Sequence, residues 1–332
     1  MSKEYFYIDL HQDVADNCLI ISQKDFFQKN QLHQGQNEAG LPVNNQVDIF
    51  RLKKGKAKLV FMAACPFVVK RGKIKIDQNP FSATFKQLNF YFGLLRKSKQ
   101  LLLVKNYQDY LALKKTKQIG ILLHIEGADF VDKNLVLLEA VYNLGVRSIG
   151  LTHNEKNYLA GGALSRGGLT KFGAQVIEKA QELGMIVDLA HLNKKSFYQA
   201  LKAIKPPFMV SHCGISAIKN HPRNLDDSQI REIKRKGGII GLAFAPNFYN
   251  TNNLEELVAA FSYLKKKIGL DSVAIGSDFD GIISEKLFIG LEDVSKMNNL
   301  ERAFLKEGFS QKEIEGIFFK NVEKKLLSYL KK

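Results

Sequence analysis

"TKFGAQVIEKAQELGMIVDLAH", residues 170–191, carries two hydrophobic patterns in one short run. Phe172, Val176, Ile177, Ala180 and Leu183 recur at spacings of three and four, which lines one face of a helix. Gly184 supplies the stop, because glycine enters the left-handed C-cap conformation without steric cost. The "MIVDLA" that follows is apolar without alternation, the pattern of a strand covered on both faces. The stretch therefore reads as a helix, a tight turn and a buried strand, and the strand ends on a histidine.

The same unit repeats along the chain. "YFYIDL", "KLVFMAAC", "IGILLHIE", "VRSIGLT", "MIVDLAH", "FMVSH", "GIIGLAF" and "VAIGSD" are strand-length apolar runs, and amphipathic helical patterns lie between them. One of these, "DDSQIREIKRKGG", opens on Asp226 as an N-cap and closes on a glycine pair. Near-continuous apolar strands alternating with helices imply parallel pairing, and eight units favour a closed (β/α)8 TIM barrel over an open sheet. No low-complexity stretch or Pro/Ser-rich linker divides the 332 residues, so residues 1–332 are expected to form a single barrel domain.

Composition narrows the partners. The formal net charge of +16 invites a nucleic-acid reading, but the lysines are dispersed in groups such as "RLKKGKAK" and "SYLKKKIG", with no interleaved aromatic run. A solvated basic surface is expected, without nucleic acid as a partner. No apolar run approaches bilayer length, and no charged segment followed by an apolar h-region opens the sequence, so a cytoplasmic protein is expected. Cys18, Cys65 and Cys213 lie far apart with no C-x-x-C spacing, which points to free thiols.

A barrel of this kind takes its catalytic groups from the C-terminal ends of its strands. Those ends carry His11 and Asp13 in "DLHQD", Glu126, His153, His191, His212 and Asp278. Taken singly, each has a structural explanation: a core histidine, a helix cap, a turn residue. Taken together, they put four of the seven histidines at one end of the barrel, which chance placement explains poorly. His11, His191 and His212 with two carboxylates suffice for two zinc-like ions, and the long side chain of Glu126 suits the bridge. Such a pair of ions makes hydrolysis the expected reaction class.

In order, H-x-D, "IEGAD", "GVRSIGLTHNEKN", "GLTKFGAQVIEKAQELGMIVDLAH", "VSHCGISAIKNHPRNLDD", "IGSDFDG" and "GLEDVSK" resemble the membrane dipeptidase (renal dipeptidase, peptidase M19) family from about residue 5 to the C-terminal helix. The resemblance implies a dinuclear zinc dipeptidase, in which a metal-bridging hydroxide attacks the peptide carbonyl and a C-terminal D-residue is accepted. It implies that His11, Asp13 and Glu126 hold one Zn2+, and that Glu126, His191 and His212 hold the other. His153 would stabilise the oxyanion, Arg223 in "HPRN" would bind the substrate carboxylate, and Asp278 would face the amino group and pass a proton to the leaving amine. Asp280 is the sequence rival to Asp278, and the family's motif favours Asp278. A homodimer is compatible with the family.

Three features depart from the family pattern. The signal peptide and processed tail of its lipid-anchored members are not seen, so no membrane anchor is expected. "FFKN", ending at residue 321, stands where relatives carry a glycine-rich "GGN". Residues 14–46 match weakly and are expected to line the substrate mouth. Two other functions stay open on sequence: a metal-dependent hydrolase of N-acyl amino acids or phosphodiesters on the same barrel, and a basic nucleic-acid-binding protein with an inactive barrel.

Overall fold

The structure is a computed structural model that describes residues 5–70, 73–131 and 134–330; the ends of the expected 1–332 domain lie outside them. Eight parallel strands close into a barrel: β1 (Tyr7–Gln12), β2 (Ala57–Ala64), β3 (Ile119–Ile125), β4 (Val146–Gly150), β5 (Ile186–Asp188), β6 (Phe208–Cys213), β7 (Ile239–Leu242) and β8 (Val273–Ile275). Each pairs with the next, and Asp9 of β1 opposite Ile275 of β8 completes the ring. The eight strands are those expected from the apolar runs. A ninth short strand, Leu101–Leu103, pairs with the first half of β3, below the point where β4 takes over the same edge.

The strands are apolar throughout because both faces are buried. Leu59 and Phe61 of β2 join Ile8, Leu10, Leu122 and Met209 in one cluster, sealed by Val322, Leu326 and Leu327 near the C-terminus. The alternate residues Val60 and Met62 pack with Leu88, Tyr91 and Leu94 of the helix Pro80–Lys97. The helix Lys171–Leu183 starts at an N-cap Thr170 and ends at Gly184 with φ of 82°, burying Val176, Ile177 and Ala180. Asp226 caps the helix Asp227–Arg235 through a capping box with Gln229.

The "FFKN" departure has a local solution. Gly316–Lys320 forms one π-helical turn that buries Ile317 and Phe318 and sets the Phe319 ring 4.4 Å from that of Phe6. Asn321 then donates its amide to the carbonyls of Leu270 and Val273, pinning the start of β8. Two hairpins, His33–Gln36 with Pro42–Asn44 and Phe67–Lys70 with Lys73–Ile76, were not expected and decorate the C-terminal face. Cys18, Cys65 and Cys213 are free and buried. Among the described residues, no helix is long and apolar enough to cross a membrane.

Close strand packing fixes the registry beside the site. A Cβ on Gly241 of β7 would lie 1.9 Å from the Ser211 carbonyl oxygen, and one on Gly276, just after β8, 1.7 Å from the same atom. Both glycines let their strands close on β6 one residue before His212. Gly276→Ala should therefore destabilise the protein by about 3 kcal/mol, the upper end of the usual cost of overpacking. This is read as a lower urea midpoint at unchanged slope; a midpoint equal to the parent's would refute the close approach.

Candidate metal centre

The C-terminal ends of the strands bring five of the expected side chains to one point. His11 leaves β1 where the β1–β2 register shifts, and Asp13 follows, anchored by its backbone N–H to the Phe279 carbonyl. Glu126 comes directly after β3, with its N–H on the Ala64 carbonyl. His191 follows β5 in a left-handed conformation with φ of 64°, and His212 lies within β6. The Oε1 atom of Glu126 lies 2.7 Å from His191 Nε2, 3.4 Å from His212 Nε2 and 3.6 Å from His11 Nε2. His11 Nε2 is also 3.2 Å from Asp13 Oδ2, and the two remaining imidazoles bring their Nε2 atoms to 2.9 Å of each other.

These atoms form two groups able to hold a metal ion, His11–Asp13–Glu126 and Glu126–His191–His212, with Glu126 common to both. A third grouping joins His11 and His212 with Asp278. The residues fit an ion on their own evidence. Both ring nitrogens of His11 and the Oδ1 atom of Asp13 are buried without a hydrogen-bond partner, a costly arrangement unless something else satisfies them.

The electrostatics describe a buried charge cluster. Burial alone would lower the pKa of His11, but Asp13 and Glu126 outweigh it and push the imidazolium up to about 10. Burial would raise Glu126; His11 and His191 overcome this and hold it well below the carboxylate range. His191 and His212 are held neutral, first by burial and then by the nearby cations Arg223 and His11 respectively.

Partners behind the cluster set which nitrogen faces it. Ser211 spends its N–H and its hydroxyl proton on the two oxygens of Asp188. Its Oγ is then left to accept from His212 Nδ1 at 2.8 Å, so the Nε2 lone pair of His212 points at the cluster. His191 Nδ1 donates to Asn154 Oδ1 at 3.0 Å, with the same result. Asp9 accepts from the Ser277 and His11 amides, the Ser277 hydroxyl and the Gln12 amide, fastening β1 to β8 beneath the cluster. None of Asp188, Ser211, Asn154 and Asp9 was singled out from sequence. The signal available was an Asp two or three residues before a strand-end histidine, in "DLH" and "DLAH".

The other expected residues line the cavity above, whose volume is about 420 Å³. His153 packs its ring 4.2 Å from that of His191 and edge-on to Phe67 at 4.4 Å. Burial, with help from Arg223, lowers its pKa to about 4, leaving a neutral N–H donor. Arg223 Nη1 is 2.9 and 3.1 Å from the two nitrogens of His191, which puts it over the ring, and Nη2 donates to the His212 carbonyl. Asp278 adopts φ of 65°, and burial followed by Asp13 raises its pKa well above the usual range. Its rival Asp280 is committed elsewhere: Oδ2 takes Lys24 Nζ at 2.7 Å, and Oδ1 accepts the Gln46 and Val47 amides. His124, the third histidine in the sequence, lies below the site with Nδ1 3.0 Å from Ser148 Oγ.

Comparison with known proteins places the chain in a family. The family model for membrane dipeptidase, peptidase family M19, matches residues 2–326. The dipeptidase verJ of Clonostachys rogersoniana is 30% identical over 287 residues, covering 83% of this chain and 74% of the relative. The dipeptidase tcpJ of Claviceps purpurea is 29% identical over 288 residues, covering 83% and 67%. Among solved structures, a metallo peptidase from Rhodobacter sphaeroides, liganded with a phosphinate mimic of L-Ala-D-Ala, superposes with a TM-score of 0.83 at 19% identity, over 99% of this chain and 100% of that one. The probable dipeptidase PvdM from Pseudomonas aeruginosa gives 0.81 at 19% identity, over 98% and 95%. The likeness to these structures is one of fold; the near-complete family match and the 30% identical relative carry more, and by them this chain belongs to the membrane dipeptidase family, peptidase family M19.

Proposed function

We propose that the chain hydrolyses dipeptides with two zinc ions held by His11, Asp13, Glu126, His191 and His212, Glu126 bridging them. The observation that carries the reading is the single Glu126 oxygen within 3.6 Å of three histidine Nε2 atoms. When bound, the ions supply an activated water and a Lewis acid for the scissile carbonyl.

The chain's own residues do the rest. Arg223 presents its guanidinium to the substrate's terminal carboxylate, for which a planar fork is suited. Neutral His153 donates a hydrogen bond to the carbonyl oxygen as it gains charge. Asp278 faces the substrate amino group and relays a proton from the attacking water to the leaving amine. Recognition of both chain ends restricts the substrate to a short peptide, and the proposal extends to a D-residue at the second position, as in the mimic held by the Rhodobacter sphaeroides protein. A free dipeptide should be cleaved and its N-acetyl derivative left intact. The reverse preference would favour an N-acyl amino acid hydrolase.

Glu126→Gln should deplete both metal equivalents together, measured by elemental analysis of protein purified without chelator. Retention of full metal content would break the bridging assignment.

Arg223→Ala should raise KM for dipeptides about tenfold or more with metal content unchanged, as loss of a charge-assisted contact implies. Equal activity of the parent on dipeptides and dipeptide amides would remove Arg223 from carboxylate binding.

His153→Ala should lower kcat on the order of 10²–10³, as losing one oxyanion donor does, while keeping both metals. His191→Ala should lose a metal equivalent. Metal loss in both variants would move His153 into the ligand set.

A further inference from the structure

The acids that line the cavity can be accounted for one by one, and one is left over. Asp13 and Glu126 belong to the metal groups, and Asp278 stands beside them. Asp280 is neutralised by Lys24 at 2.7 Å. Glu155 is exposed at the mouth. Asp16 remains: it is buried at 7% exposure, lines the cavity, and pairs with no Lys or Arg among the described residues of this strongly basic chain. Its Oδ1 accepts from the Gln87 side-chain amide, and Gln87 is itself fixed by the backbone of Cys65. That anchor sets the rotamer and leaves Oδ2 without a hydrogen bond among the described residues.

The cavity wall that Asp16 shares is apolar on its outer side. Val14–Asp16 runs directly into the π-helical turn Asn17–Ile21, so Ile20 and Ile21 lie one turn beyond Asp16, and all three line the cavity. Across from them the hairpin contributes Phe67 and Ile76, cross-strand partners that share one face, and Ile283 adds to the lining. Ile20, Phe67, Ile76 and Ile283 are half-buried whereas Asp16 is buried, which sets the acid at the deep end of an apolar wall. A long aliphatic stem ending in a cation fits such a surface: its methylenes cover the apolar residues and its head meets the acid.

The wall also has a polarity. Burial, and then the carboxylates of Asp13 and Glu126, push the Asp16 carboxyl well above the usual carboxylate range, and a cation set against it would lower it again. Asp13 lies beside Asp278, since a Cβ on Gly281 would fall 2.1 Å from Asp13 Oδ2 and 2.7 Å from Asp278 Oδ1. Arg223 is on the His191–His212 side. We propose that Asp16 is a specificity-determining residue that receives the cationic side chain of the substrate's N-terminal residue, making basic-first dipeptides the favoured class. This rests on the dipeptidase reading above, with the amino end at Asp278 and the carboxylate at Arg223.

Norleucine matches the lysine stem without its ammonium, so lysyl-alanine against norleucyl-alanine isolates the charge. The metal-loaded parent should favour lysyl-alanine in kcat/KM by at least about tenfold, as a site built to pair a polar group discriminates against the analogue lacking it. Asp16→Asn should bring that ratio to near one, and Asp16→Glu should keep much of it. A parent that cleaves norleucyl-alanine equally well or better overturns the proposal alone, and needs no variant to fold. A ratio unchanged in Asp16→Asn does the same. A parent that binds its metals and cleaves neither dipeptide overturns the dipeptidase reading, and this proposal with it.

Discussion

Three buried imidazoles converge on one carboxylate oxygen, and the rest of the C-terminal face is organised around the cost of keeping them there. Glu126 Oε1 faces three imidazoles, two of which bring nitrogen to nitrogen at 2.9 Å. Paired charges inside a protein repay their lost hydration only when every remaining lone pair is used. Here His11 and Asp13 keep unsatisfied atoms. A metal ion, which the family implies, would supply what the protein alone does not.

The scaffold holds this arrangement by spending structure nearby. Asp188 and Asp9, each fully bonded beneath the cluster, tie neighbouring strands together and orient His212 and the His11 backbone. Glycines 241 and 276 admit the strands closely enough for Ser211 to sit between Asp188 and His212. His191 and Asp278, with Asp280, occupy left-handed backbone conformations that non-glycine residues avoid, at a cost of about 1–3 kcal/mol each. Strain of that kind persists where surrounding contacts over-determine it, and the Lys24–Asp280 pair with its two backbone donors is one such restraint.

Much of this was readable from the amino-acid sequence because barrel strands buried on both faces leave unbroken apolar runs, and because "DLHQD", "DLAH" and "VSHCG" put polar residues where those runs stop. Strand ends were less legible: β5 stops at Asp188 and β8 at Ile275, three residues short of His191 and Asp278, with Leu189–Ala190 and Gly276–Ser277 carrying the chain past the last ladder bond. The family's motif favours Asp278 over Asp280, but the contact that occupies Asp280 comes from Lys24, more than 250 residues away in sequence, which no local pattern reveals. The weakly matching residues 14–46 hold Asp16, Ile20 and Ile21, and only the folded helix shows that they turn toward the cavity. The "FFKN" run reads as a defect until its phenylalanines are seen to fill the space between the π-turn and the chain's start.

On the function proposed above, Glu126 joins two metal positions. Anomalous diffraction at the zinc absorption edge from crystals of the metal-loaded protein tests it most directly. The account predicts two peaks about 3.5–4 Å apart, one beside His11 and Asp13, the other beside His191 and His212, with the Glu126 carboxylate between them. A single peak in zinc-saturated protein, or two peaks with Glu126 touching only one, would contradict it.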